Sequence, residues 1–172
     1  MHLAFTVLTM LAAWRWADWR NWTTYQSSMF YIATGGLLYE YLTKHYPMWK
    51  FHADFLYSHR IVVIVYALIT MPLTVLLFLS RYPSTERLWR QLRYYGIWIT
   101  IYIIAEHFLR WFGYISYEHG WTFWYSLLFD MIMFPMIRLH FTKPGLALLC
   151  SVGITGLLML WFEVPIEAAK PG

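Results

Sequence analysis

The chain has a single cysteine, Cys150, in 172 residues, and only 13% of its residues are charged. One thiol closes no intramolecular disulfide and builds no Cys-based zinc site. Lying in an apolar run, Cys150 reads as a small packed side chain. The charge content is far below the roughly 25% usual in soluble domains, which points to a chain whose solvent is lipid. A glycine-rich phosphate cradle, a soluble nucleophile triad and a nucleic-acid module are also lacking, and no linker or low-complexity tract divides the sequence. The net charge of +4 does not argue for nucleic acid, because Lys and Arg fall at the ends of apolar runs and form no single stripe. No motif requires a cofactor.

What the sequence has in excess is apolar and aromatic surface: 60% hydrophobic residues and 22% aromatic ones. Ile61 to Ser80 is uncharged throughout and long enough to cross a hydrocarbon core of about 30 Å. The expectation is an all-α polytopic membrane bundle in one domain, with spans at about 3–17, 24–42, 61–80, 94–112, 121–137 and 145–163. The first is the weakest: Leu3 to Ala13 is short, and "AWRWADWRNW" follows it as an interfacial aromatic belt. A cleavable signal peptide is the rival for that segment, and the missing basic n-region weighs against it. Eight Lys and Arg residues fall in the loops after spans 1, 3 and 5 and five on the other side, which places both termini outside the cytoplasm. The loop "RYPSTERLWRQLR" dominates that count and is expected to face anionic lipid headgroups.

Ionisable residues inside such spans are the candidate site. The uncharged run from Tyr94 to Ala105 gives only about 18 Å of helix, so span 4 must continue through Glu106. Glu106 and Arg110 are spaced i,i+4 with the acid first, an arrangement that lets them pair, and His107 extends the polar stripe. Asp130 is the deepest acid, and an unpaired carboxylate at that depth costs several kcal/mol. Neutralisation by Arg138, two turns on, is the structural alternative. Glu40 in "LLYEY" repeats the Leu-Leu-aromatic-acid pattern of "LLFDM" ninety positions earlier, and the same offset superposes Arg20 on Arg110. That pattern suggests a three-plus-three inverted repeat. Asp130, Glu40 and Glu106 are therefore the candidate catalytic or proton-carrying groups. Arg110, His107, Arg138, Tyr39, Trp124 and Tyr125 are the candidate ligand-binding ones.

Weaker signals complete the reading. His45, His52 and His59 recur every seven residues with Asp54 between them; an interfacial loop is expected, with a metal or haem site as the alternative. Pro72 and Pro135 should kink their helices. "GYISYEHGW" reads as a tight turn carrying a solvated Glu118 and His119.

The stretches "WRWADWRNW", "LLYEYLTKHYPMWKFH" and "ISYEHGWTFWYSLLFDMIMFPMIRLHF" resemble a family of small, functionally uncharacterised multi-pass membrane proteins of spore-forming Gram-positive bacteria. The resemblance covers most of the chain and implies a location, not a chemistry. In the family's pattern an acid stands at the place of Gly36 and an amide at that of Glu40, positions one turn apart on one helical face. Three functions stay open. One is binding or transport of a proton or an amphipathic small molecule in an aromatic-rich cavity. The second is acid catalysis on a lipidic or isoprenoid substrate, in the manner of small membrane terpene cyclases. The third is a structural or accessory subunit, for which self-association is a natural state.

Overall fold

The computed structural model describes residues 1–52 and 58–165. Six helices account for most of them: α1 (His2–Trp16), α2 (Trp22–Leu42), α3 (His59–Ser80), α4 (Leu88–Trp111), α5 (Phe123–Thr142) and α6 (Pro144–Trp161). A two-stranded antiparallel ribbon, β1 (Trp49–Phe51) with β2 (Ile115–Tyr117), joins the α2–α3 and α4–α5 connections. The described residues are therefore all-α apart from that ribbon. Two helices, α3 and α6, are long and apolar enough to cross a membrane. Half of the apolar window in α3 is buried in the bundle, whereas that of α6 lies almost wholly on the outer surface.

Local chemistry fixes the helix ends. After α1, Asp18 accepts bonds from the Asn21 backbone N–H at 3.3 Å and its side-chain amide at 2.8 Å, turning the chain through one 3-10 turn into α2. At the far end of α4, Gly113 takes φ +75°, a conformation that costs a glycine little. Its N–H bonds to the Arg110 carbonyl, and the Tyr114 N–H bonds to that of Leu109, so the last carbonyls are satisfied as the chain leaves for β2.

The proline in α3 has a visible structural consequence. Pro72 has no N–H, and its ring would strike the carbonyl four residues back in a regular α-helix. The helix widens just before it into a π segment, Tyr66–Thr70, in which the Met71 N–H reaches the Tyr66 carbonyl five residues away. Thr70 and Thr74 hydroxyls bond back to the Val65 and Thr70 carbonyls at 3.4 and 2.9 Å.

Val75, Phe78 and Leu79 from α3 meet Met133, Phe134 and Ile137 from α5 at the centre, with Tyr94, Trp98 and Tyr102 of α4 closing around them. Phe78 and Phe134 are fully buried with ring centroids 5.2 Å apart. Gly36 lets α2 approach the π segment closely: a Cβ there would lie 3.5 Å from that of Ala67. At one end of the bundle Arg81 donates to the Trp16 carbonyl at 2.7 Å, tying α1 to α3. At the other, the ribbon pairs Trp49 with Tyr117 and Phe51 with Ile115.

The ribbon revises the expected tight turn at "GYISYEHGW". Ile115–Tyr117 is extended, and the turning is done by Gly113 before it and by His119 and Gly120 after it, at φ +50° and +79°. His119 stacks on Tyr46 and donates to the Pro47 carbonyl at 2.8 Å, and Glu118 lies 3.9 Å from Lys50.

Candidate functional site

The site is built on the inward face of α5. The apolar positions Met133, Phe134 and Ile137 direct that face into the core, and Asp130 and Ser126, each about a turn further up, share it. Asp130 is only 5% exposed, and its Oδ2 is buried with no hydrogen-bond partner among the described residues. Ser126 accepts from the Trp121 indole at 2.8 Å, which closes the site above.

From α4, Tyr102 and Glu106 stand on the face turned towards α5, and both lie within electrostatic reach of Asp130. The expected Glu106–Arg110 pair takes a different form, because β2 inserts Tyr117 beside both. Tyr117 donates its hydroxyl to Glu106 Oε1, and the Arg110 guanidinium lies 3.7 Å from the centroid of the Tyr117 ring. Among the described residues no ion pair joins Glu106 to Arg110. One phenol thus serves the acid through its edge and the cation through its face. Burial, followed by the Glu106 carboxylate that accepts its bond, pushes the Tyr117 hydroxyl up to about 12.

β1 supplies the neighbouring wall. The Trp49 ring lies among Tyr39, Trp121 and Phe129, with centroids 5.6, 6.4 and 6.0 Å away, and its indole N–H is buried with no partner among the described residues. Tyr39 anchors the strand by accepting from the Trp49 backbone N–H at 3.0 Å and donating to its carbonyl at 3.2 Å. An orphaned acceptor on Asp130 and an orphaned donor on Trp49 therefore belong to neighbouring aromatic layers.

The other sequence candidates lie elsewhere. Glu40, near the end of α2, lies 3.2 Å from His59 Nε2, and His59 Nδ1 lies 2.8 Å from the Phe51 carbonyl. Glu40 is thus two residues from its helix end and Asp130 well inside its own, so the two acids of the ninety-residue offset hold different places. Arg138 lies over Tyr82 and Phe141 at 4.6 and 5.4 Å, not beside Asp130. His107 is exposed, and Trp124, 72% exposed, points away from the bundle. Tyr125 accepts from the Trp161 indole at 3.2 Å, with its ring tilted against Trp121 and edge-to-face with Phe162. Two surface grooves run along the outer face of α4, and neither is lined by Asp130.

The loop histidines separate. His45 is exposed, His52 bonds to Ser116 at 2.8 Å, and Asp54 lies outside the described residues. Among the described residues no three of His, Cys, Asp and Glu converge to hold a metal. Tyr117, Trp49 and the Trp121–Ser126 bond carry the site's geometry without a motif to announce them. Away from the site, the buried His2, also without a motif, bonds the Tyr66 hydroxyl and the His52 carbonyl, each at 3.2 Å. Comparison with protein-family models, with curated proteins and with solved structures gives no match.

Proposed function

We propose that all six helices cross a cell membrane, with both termini extracytoplasmic, and that the Asp130 layer binds and passes a proton or the polar end of an amphipathic small molecule. The buried, unpartnered oxygen of Asp130 carries this reading. A carboxylate sunk among apolar side chains is costly, and within spans such groups mark pathways and pockets. Glu106, Tyr117 and Tyr102 give the layer further sites at which a proton or a polar headgroup can rest.

Helix length and surface support the membrane part. At about 1.5 Å per residue α2, α3, α4 and α5 measure about 30 Å or more, α6 slightly less and α1 about 22 Å, which makes α1 the shallowest member. Their outer faces carry Leu8, Leu11, Ile104, Leu149, Val152 and Leu160, all largely exposed and suited to acyl chains. Trp14, Trp16, Trp19 and Trp22, all exposed, cluster at the α1–α2 junction, at the end that bears most of the arginines.

Proteoliposomes enclosing a pH-sensitive dye test the proposal. Under an imposed pH gradient the wild-type chain should dissipate it and Asp130→Asn should not. Equal leakage from both, or none from either with any amphipathic cation added, removes Asp130 from the function.

A further inference from the structure

The outer face of α4 carries a feature that the Asp130 layer does not use. Trp89, Leu92, Arg93, Gly96, Ile97 and Thr100 lie on one stripe at helical spacing, all exposed, and border a groove of about 510 Å³. Gly96 makes the notch: with no side chain, and nothing within 4 Å of where its Cβ would be, it leaves a gap between the Trp89–Arg93 turn and Ile97. Thr100 keeps its hydroxyl out of the groove's chemistry by bonding the Gly96 carbonyl at 2.7 Å. The groove is thus apolar along its length and cationic at its mouth.

The mouth lies in a strongly basic rim. Arg15, Arg20, Arg81, Arg87, Arg90, Arg93, Arg138 and Lys143 gather at this end of the bundle, against Asp18 and Glu86. Asp18 is engaged with Asn21, and Glu86 holds Arg90 at 2.7 Å, so neither neutralises Arg93. The first turn of α4 adds to the field: its cap residue Arg87 offers no side-chain acceptor, so backbone N–H groups and the positive end of the helix dipole face the rim.

We propose that this notch is a binding site for one anionic phospholipid, its phosphate held by Arg93 beside Trp89 and one acyl chain laid over Gly96 and along Ile97 and Thr100. Guanidinium and phosphate match in charge and in planar, two-pronged geometry, and an indole at the interface is suited to the boundary between headgroup and chain. A second copy of the chain is the competing occupant, since small residues one turn apart favour close helix pairing. Charge decides against it. Two copies in one membrane share one orientation, so a symmetric α4–α4 contact through Gly96 would bring Arg93 next to its own equivalent.

The inference rests on the membrane reading, and the experiment separates their failures. In vesicle flotation, a chain that stays with the soluble fraction ends the membrane reading and this site with it. For a chain that floats, native mass spectrometry of the detergent-extracted protein is run with equal amounts of phosphatidylglycerol and phosphatidylcholine of matched chains. Both lipids offer Arg93 a phosphate, but choline brings a cation to the basic rim and glycerol does not, so wild type should retain phosphatidylglycerol with a preference of about tenfold. Arg93→Gln should bring that ratio close to one, Gly96→Leu should lower retention of both lipids by filling the notch, and Lys143→Gln, on the same rim but between α5 and α6, should leave the ratio unchanged. An undiminished preference in Arg93→Gln, or an equal loss in Lys143→Gln, overturns the site in favour of diffuse surface charge. A dimer that Gly96→Leu dissociates overturns it in favour of the second copy.

Discussion

Replacing Asp130 by leucine should make the protein more stable while abolishing its function. The magnitude follows from the environment: Oδ2 is buried without a partner, and a buried polar atom left unsatisfied costs about 1–3 kcal/mol. Leucine is of comparable length, has no polar atom to desolvate, and would sit above Met133 and Phe134, which already form an apolar floor. Removing the penalty should therefore raise stability by about 1–3 kcal/mol, a shift in Tm of about 2–12 °C for a chain of this length. The assay is thermal unfolding in one detergent, followed by tryptophan fluorescence, with Asp130→Asn alongside as the shape-preserving neutral control. Asparagine should stay within about 1 kcal/mol of wild type, because it keeps both the volume and one acceptor. If the leucine variant unfolds at lower temperature than wild type, the carboxylate is holding helices together, and the argument from its orphaned oxygen fails.

Topology is read from single cysteines introduced at Ser84 and Glu118 in a Cys150→Ala background. They should label from opposite faces of the membrane, and labelling from one face refutes the bundle orientation. Ser28→Ala should cost about 1–3 kcal/mol in unfolding free energy, since it strands the buried Nδ1 of His140, now 3.0 Å from the Ser28 hydroxyl, beneath the stacked Tyr31 ring; no loss would mean that His140 finds another partner. Tyr117→Phe tests the link between ribbon and site. The folded chain keeps the Tyr117 proton up to about pH 12, whereas the unfolded chain loses it at about 10.0. Folded Tyr117 thus binds more protons in that window, so its contribution is whole below about pH 10 and declines as pH rises towards 12. Phenylalanine should flatten that part of the stability–pH curve, and an unchanged slope would detach Tyr117 from the site.

The helices were legible because their signal is one-dimensional: runs of apolar residues interrupted by Asp18, Pro83 and Gly113 mark their own ends. The need to extend α4 through Glu106 followed from length alone, and the helix indeed runs to Trp111. Its start was less legible. Leu88 to Arg93 is helical although charged, because an arginine-rich first turn outside the apolar run gives no hydropathy signal. The burial of Asp130 followed from its place between two apolar stretches. Its neighbours did not, since Tyr117 and Trp49 reach the site only through strand pairing between distant segments, and three-residue strands are too short to show a period. Exposure on a helix was equally hard to judge where every face is apolar: Trp124 and Tyr125 are adjacent and both aromatic, yet one faces out and the other in.

The ribbon also imposes an order on assembly. Its two strands lie on opposite sides of α3 and α4 in the chain, so Trp49, whose backbone Tyr39 can hold from the start, lacks its strand partner until the segment after α4 has been made and has reached the same end of the bundle. A loop of that length must be closed before the strands can pair, and the entropy of closing it opposes the pairing. Tyr117 meets Glu106 from β2, so the polar layer around Asp130 is complete only when the ribbon has paired. A chain stalled before the ribbon zips would hold its helices and lack its site, and a protease cutting between Thr43 and Met48 would distinguish the two states by whether β1 is already held.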